Sequence, residues 1–158
     1  MAKKPVLGIF SFTGCQGCQF TILYIDRILN LLKRFDIQYF HLMKEKNRDA
    51  EHFDIAVIEG AISSKREVEK LKIIRKKSDF VLAIGACATT GGVPAMANKL
   101  GKKEKRKYVY NQKMLADSID ASPISKFIKV DKELHGCPII KSQFAAEMEG
   151  FLKKWVKK

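Results

Sequence analysis

Residues 6–18 read VLGIFSFTGCQGC: seven mostly apolar residues run straight into a Gly-Cys-Gln-Gly-Cys turn. A short apolar run bounded by turn residues is the signature of a strand buried on both faces, as in parallel sheets. The same pattern recurs downstream. Residues 54–59 (DIAVIE) and 79–85 (DFVLAIG) are further apolar runs, each followed by glycine or ending in it. Residues 36–43 (DIQYFHLM) form a strand with partial alternation, and residues 127–130 a weak fifth one.

Helical patterns separate these strands. Between residues 20 and 35, Phe20, Leu23, Tyr24, Ile28, Leu31, Leu32 and Phe35 recur at helical spacing, which predicts one amphipathic helix. Ser63 or Ser64 is expected to cap a second helix running to about Lys77, with Glu67 completing a capping box. A Gly- and Pro-rich loop follows the fourth strand. A short helix is expected over residues 111–119, and a terminal helix over residues 140–156 with Pro138 near its start. Strands alternating with helices predict a parallel sheet covered on both faces. Five such units in 158 residues fit a flavodoxin-like doubly wound domain, with residues 1–158 as a single domain.

On this layout the four cysteines fall in three loops. Cys15 and Cys18 follow the first strand, Cys87 the fourth and Cys137 the fifth. Loops after parallel strands emerge at the carboxyl edge of the sheet, where ligands bind at the switch point in strand order. All four thiols can therefore converge, although they span 122 residues of sequence. Four thiolates suit either a tetrahedral zinc ion or an iron–sulfur cluster. The neighbours Gly14, Gly17, Gly85, Ala86, Ala88 and Gly136 are small, leaving room for a bulky group to approach the backbone closely. A thioredoxin-type pair would leave Cys87 and Cys137 unexplained.

Composition removes other classes. With 46% hydrophobic and 30% charged residues the chain is neither disordered nor fibrous, and its apolar runs are too short for a membrane span. No leader pattern or twin arginine opens the sequence, so a cytoplasmic location is expected, with a place on the cytoplasmic face of a membrane left open. The net charge of +13 raises nucleic acid as a partner. Yet lysine outnumbers arginine 24 to 6, and arginine is the better residue for bidentate phosphate or base contacts. The basic run at residues 99–107 is expected to be a solvated loop or a face toward another subunit, and nucleic acid is not expected as a partner.

The motifs Gly14-Cys15-Gln16-Gly17-Cys18, Glu59-Gly60-Ala61, Gly85-Ala86-Cys87-Ala88 and Gly136-Cys137-Pro138 together resemble the small subunit of nickel–iron hydrogenases. They are also similar to the 20 kDa iron–sulfur subunit of respiratory complex I, which differs in having adjacent cysteines in its first motif. With no cysteine after Cys137, the chain resembles the short, single-cluster type. The resemblance implies one 4Fe–4S cluster held by Cys15, Cys18, Cys87 and Cys137. Gly14, Gly17, Gly85 and Gly136 would make room for it. It further implies a nickel–iron centre in a separate large subunit, and further iron–sulfur or flavin subunits as electron partners. The alternative is the iron–sulfur subunit of a complex I-like or other multisubunit oxidoreductase lacking nickel.

Glu59 ends an otherwise apolar strand at the carboxyl edge. Two roles are open: hydrogen bonds to amides that shape the loop of residues 60–63, or a place at the subunit interface where it relays protons. His135 is read as a surface histidine or as a hydrogen-bond donor to the cluster. Thr89 and Thr90 either bond to the cluster or start a turn. Gly91-Gly92 is too short a signal to be read as a phosphate cradle.

Overall fold

A computed structural model describes residues 4–47, 50–101, 104 and 116–156. Five parallel strands form its main sheet: β1 (Val6–Ser11), β2 (Asp36–Phe40), β3 (Phe53–Glu59), β5 (Ser78–Ile84) and β7 (Lys132–Leu134). Their spatial order is β2-β1-β3-β5-β7, the doubly wound order expected, with its switch point between β1 and β3. Three of these strands lock together in register, Leu7 beside Ile55 and Ile55 beside Phe80.

The two-residue period of β3 explains the layers. Ile55 and Val57 pack into one core, with Ile22, Leu32, Phe144 and Met148 from the helices on that face. Ala56 and Ile58 pack into the other, with Leu71 and Ile74 of α3 (Lys65–Lys76). A strand apolar on both sides is what a sheet covered on both faces requires. Ser64 caps α3 with the expected capping box: its Oγ accepts from the Glu67 amide, while Glu67 Oε2 accepts from the Ser64 amide.

Four local features differ from the sequence reading. The first helix is two: α1 (Gly17–Leu23) and α2 (Ile28–Leu32), separated by a turn in which Arg27 takes φ 57°. Ile22, Ile28, Leu31 and Leu32 still enter one core, so the apolar period runs through a break it cannot reveal. The fifth strand lies at Lys132–Leu134 and not at residues 127–130. Ile128 instead packs into the α3-side core, and the strand itself is a polar edge with one neighbour. The expected Gly/Pro-rich loop forms two short helices, α4 (Gly85–Thr90) and α5 (Gly92–Met96). Finally, β4 (Ile62–Ser64) and β6 (Ser118–Ser122) make a small antiparallel pair that the sequence did not announce. The expected helix over residues 111–119 lies in part outside the described residues, and its end, Ser118–Ile119, belongs to β6. The terminal helix α6 (Lys141–Trp155) falls where expected.

Candidate metal centre

The loop after β1 is pinned to the loop after β3. The amides and carbonyls of Thr13 and Ala61 bond reciprocally at 3.0 and 2.8 Å, and the Phe12 amide reaches the Glu59 carbonyl at 2.9 Å. Thr13 Oγ1 also donates to Glu67 Oε1 of α3 at 2.9 Å and lies 2.6 Å from Ser63 Oγ. Gly60, at φ 97°, lies so close to Phe12 that a Cβ would sit 2.7 Å from its carbonyl carbon. Only glycine fits there. Position 15 is thus fixed through its upstream neighbours.

Glu59 is 3% exposed, and its carboxylate accepts two amides: Cys18 N–H at Oε1 (3.1 Å) and Gln19 N–H at Oε2 (3.2 Å). These belong to the first turn of α1, whose leading N–H groups have no partner inside the helix. The amides are those of the cysteine loop, and not those of residues 60–63. Burial pushes the Glu59 carboxyl above its ordinary range, opposed by the two amides and the Cys18 thiol. Beside it, the Gln19 side chain is buried with neither amide atom hydrogen-bonded, among the described residues.

The thiols gather above this frame. Cys18 is buried, Cys87 partly buried, and Cys15 and Cys137 are exposed; none is in a disulfide. A Cβ on Gly85 (φ 81°) would strike Cys18 Sγ, one on Gly17 would lie 3.2 Å from Cys15 Sγ, and one on Gly14 would lie 3.9 Å from Cys87 Sγ. Gly136 works differently: its Cβ would first meet the Pro138 carbonyl oxygen at 2.7 Å, so it shapes the turn after Cys137. Gly92 was missed from sequence. Its Cβ would meet Cys87 Sγ at 3.0 Å and the Cys87 backbone at 2.9 Å.

Burial pushes the Cys18 thiol up to about 12, and the negative fields of Glu59, Cys87 and Cys15 add to the effect. Cys87 is raised by burial first, then by Cys15 and Cys137. The four thiols are therefore electrostatically linked across three loops. The backbone N–H groups of Ile139 and Val93 oppose these shifts, holding the Cys18 and Cys87 thiols lower than burial alone would. Four adjoining thiolates without a cation repel one another; a cationic metal core removes that penalty. The donor set and the glycine cradle fit such a group.

Four further contacts tie the Cys87 and Cys137 segments internally and to each other. Thr89 Oγ1 donates to the Gly85 carbonyl (3.1 Å) and Thr90 Oγ1 to the Ala86 carbonyl (2.8 Å). His135 Nδ1 lies 3.0 Å from Thr89 Oγ1. The Ala86 amide donates to the Gly136 carbonyl at 2.7 Å. Tyr108, Tyr110, Met114 and much of the basic run lie outside the described residues.

Among the described residues, His52, Asp54 and Asp79, at the opposite end of the sheet, form a group of metal-ligating side chains whose donor atoms all lie within 4.8 Å of one another. Asp54 there is already engaged, accepting from Val6 N–H at 2.7 Å and Trp155 Nε1–H at 3.1 Å.

Fold and site together define a doubly wound α/β domain that collects cysteine thiols at the carboxyl edge of its sheet. A family model described as NADH ubiquinone oxidoreductase, 20 Kd subunit, matches residues 15–150, and the chain belongs to that family. Among curated relatives, sulfhydrogenase 2 subunit delta of Pyrococcus furiosus is 33% identical over 139 residues, covering 87% of this chain and 57% of that protein. A subunit of the F420-non-reducing hydrogenase of Methanocaldococcus jannaschii is 30% identical over 145 residues, covering 84% and 50%. The chain thus spans about half the length of the curated relatives it matches. A solved NAD+-reducing [NiFe]-hydrogenase in the H2-reduced state contains a chain that superposes with a TM-score of 0.77. It is 28% identical, and the match covers 89% of this chain and 86% of that one.

Proposed function

We propose that this chain is the electron-transfer small subunit of a nickel–iron hydrogenase, holding one 4Fe–4S cluster on Cys15, Cys18, Cys87 and Cys137. The observation that carries it is the convergence of four thiols from three loops onto one glycine-lined edge, in a chain whose relatives are named as hydrogenase subunits. Small residues around the thiols favour a cluster over zinc: Gly14, Gly17 and Gly85 leave room beside Cys87, Cys15 and Cys18 for a group bulkier than a single ion. When bound, the cluster supplies reversible one-electron transfer.

The chain's own residues hold and shield. Glu59 fixes the amides of Cys18 and Gln19, and Thr13 and Glu67 fix the entry to Cys15. Cys15 and Cys137 stay exposed, and apolar side chains near the motifs do too: Phe20 and Tyr24 after Cys18, Val93 and Met96 after Cys87, Ile140 after Cys137. Exposed apolar side chains beside each cysteine motif fit an obligate protein interface, which we assign to the nickel–iron large subunit. Further iron–sulfur or flavin subunits would accept the electrons. Among the described residues no helix is long and apolar enough to cross a membrane, and we propose a cytoplasmic location.

For Glu59 the geometry supports positioning of the cysteine loop. Both oxygens accept an N–H, so Glu59→Gln places an amide donor against an amide donor and loses one bond. We expect that variant to bind iron less tightly. Full iron content with slowed hydrogen turnover would instead favour the proton-relay role.

The family description itself supports a second reading, a complex I-like oxidoreductase subunit without nickel. Anaerobic co-purification of the chain with its partners tests both. Brown colour, absorbance near 400 nm and stoichiometric iron and sulfide support the cluster, and a colourless zinc protein refutes it. Nickel in a copurifying large subunit supports the hydrogenase, and its absence from an intact complex supports the second reading.

A further inference from the structure

The Cys137 loop is lightly built. β7 has three residues and pairs only with β5, and Cys137 itself is exposed. Two bonds tie the loop to α4, which carries Cys87. One is the backbone bond from the Ala86 amide to the Gly136 carbonyl. The other runs through side chains separated by 46 residues, His135 Nδ1 to Thr89 Oγ1 at 3.0 Å. Thr89 is 7% exposed, and its hydroxyl proton is committed to the Gly85 carbonyl. The hydroxyl oxygen must then accept, so Nδ1 of His135 carries the proton. The result is a directed chain, His135 Nδ1–H to Thr89 O–H to the Gly85 carbonyl. Gly85 is the residue whose missing Cβ makes room for Cys18 Sγ. The imidazole is otherwise largely in solvent, its side chain 66% exposed and its Nε2 3.7 Å from Glu133. Its contribution is one directional bond with little packing, so replacing it leaves the cores intact.

We propose that His135 is a positioning residue that, through Thr89, sets the spacing between the Cys137 loop and the loops of Cys87 and Cys18. This rests on the reading that the four cysteines hold an iron–sulfur cluster. Asparagine can place an N–H where Nδ1 stands, whereas glutamine carries its amide one carbon further out. The two substitutions therefore separate the bond from mere polarity.

The test uses the anaerobically purified complex with His135→Gln, His135→Asn, Thr89→Val, Thr89→Ser and the His135→Gln/Thr89→Val double variant. Iron release to a chelator, the EPR spectrum of the reduced cluster and its midpoint potential are measured. A hydrogen bond of ordinary strength corresponds to roughly a three- to tenfold change. His135→Gln and Thr89→Val should each speed iron release by about that factor and alter the EPR spectrum in the same way. The double variant should be no worse than either single one, and His135→Asn and Thr89→Ser should return toward wild type. Wild-type behaviour of His135→Gln in all three readouts overturns the proposal, as does full multiplication of the two single effects in the double variant. A wild-type complex without iron and sulfide overturns the cluster reading, and this proposal with it. A wild-type complex with its cluster and unaffected variants overturns this proposal alone.

Discussion

The two ends of the sheet are built by opposite rules. At the amino end, charged side chains tie strand starts to their neighbours. Asp54 holds the first amide of β1 and the Trp155 indole of α6, and His52 lies 3.6 Å from Asp79 at the start of β5. Asp131, just before β7, accepts from the Val81 amide and the Arg75 guanidinium. At the carboxyl end, glycines replace side chains and sulfurs fill the space they leave. One end spends its polar groups on fixing strands to one another. The other keeps its donors free for something outside the polypeptide, which is where open α/β sheets place their ligands.

Substitutions at the two ends should therefore separate stability from metal content. The largest effect is expected from Cys→Ser at position 15, 18, 87 or 137, each losing most of the iron measured by metal analysis while the circular dichroism of the chain persists. Gly85→Ala should come next. It combines a left-handed φ of 81° with a collision against Cys18 Sγ, so both iron content and thermal stability should fall, the backbone alone contributing about 1–2 kcal/mol. Asp54→Asn should do the reverse. It weakens two hydrogen bonds at the amino end and should lower stability by about 1–3 kcal/mol in denaturant titration, with iron per folded chain unchanged.

The smallest expected effect is a pH slope in the metal-free chain. The Cys18 thiol titrates near its ordinary value of 9.0 when unfolded and near 12 when folded. Between those values the unfolded state releases a proton that the folded state keeps, so stability falls as pH rises, by roughly 1.4 kcal/mol per pH unit at most. Below about pH 8 this group contributes almost no slope. Chemical denaturation of wild type and Cys18→Ala between pH 8 and 11 checks it; the variant should show the shallower decline.

The fold was legible because the central residues of β1, β3 and β5 are apolar on both faces, and a sheet covered on both sides uses such strands. The thiols could be placed because each follows one of the sheet's strands. What stayed hidden was set by tertiary contacts. The polar β7 (KEL) is a strand because β5 offers it an edge, and neighbouring FIKV reads more like one while Ile128 fills the other core. β4 is three residues long, too short to show a period, and β6 (SIDAS) alternates over five residues of which only Ile119 is a large apolar one. The turn at Arg27 interrupts α1 and α2 without interrupting their apolar face. Gly92 presses on Cys87 through the tight turn between α4 and α5, and the His135–Thr89 pair depends on loops meeting across the edge, which no local spacing encodes.

The wide spread of the thiols along the chain bears on biogenesis. Cys15 and Cys18 leave the ribosome more than a hundred residues before Cys137, and β7, which presents Cys137, joins the sheet at its margin. A nascent chain lacking β7 offers at most three thiols. For the cluster proposed above, complete coordination would wait for the last strand, and iron uptake during synthesis would act as a timestamp for the finished sheet.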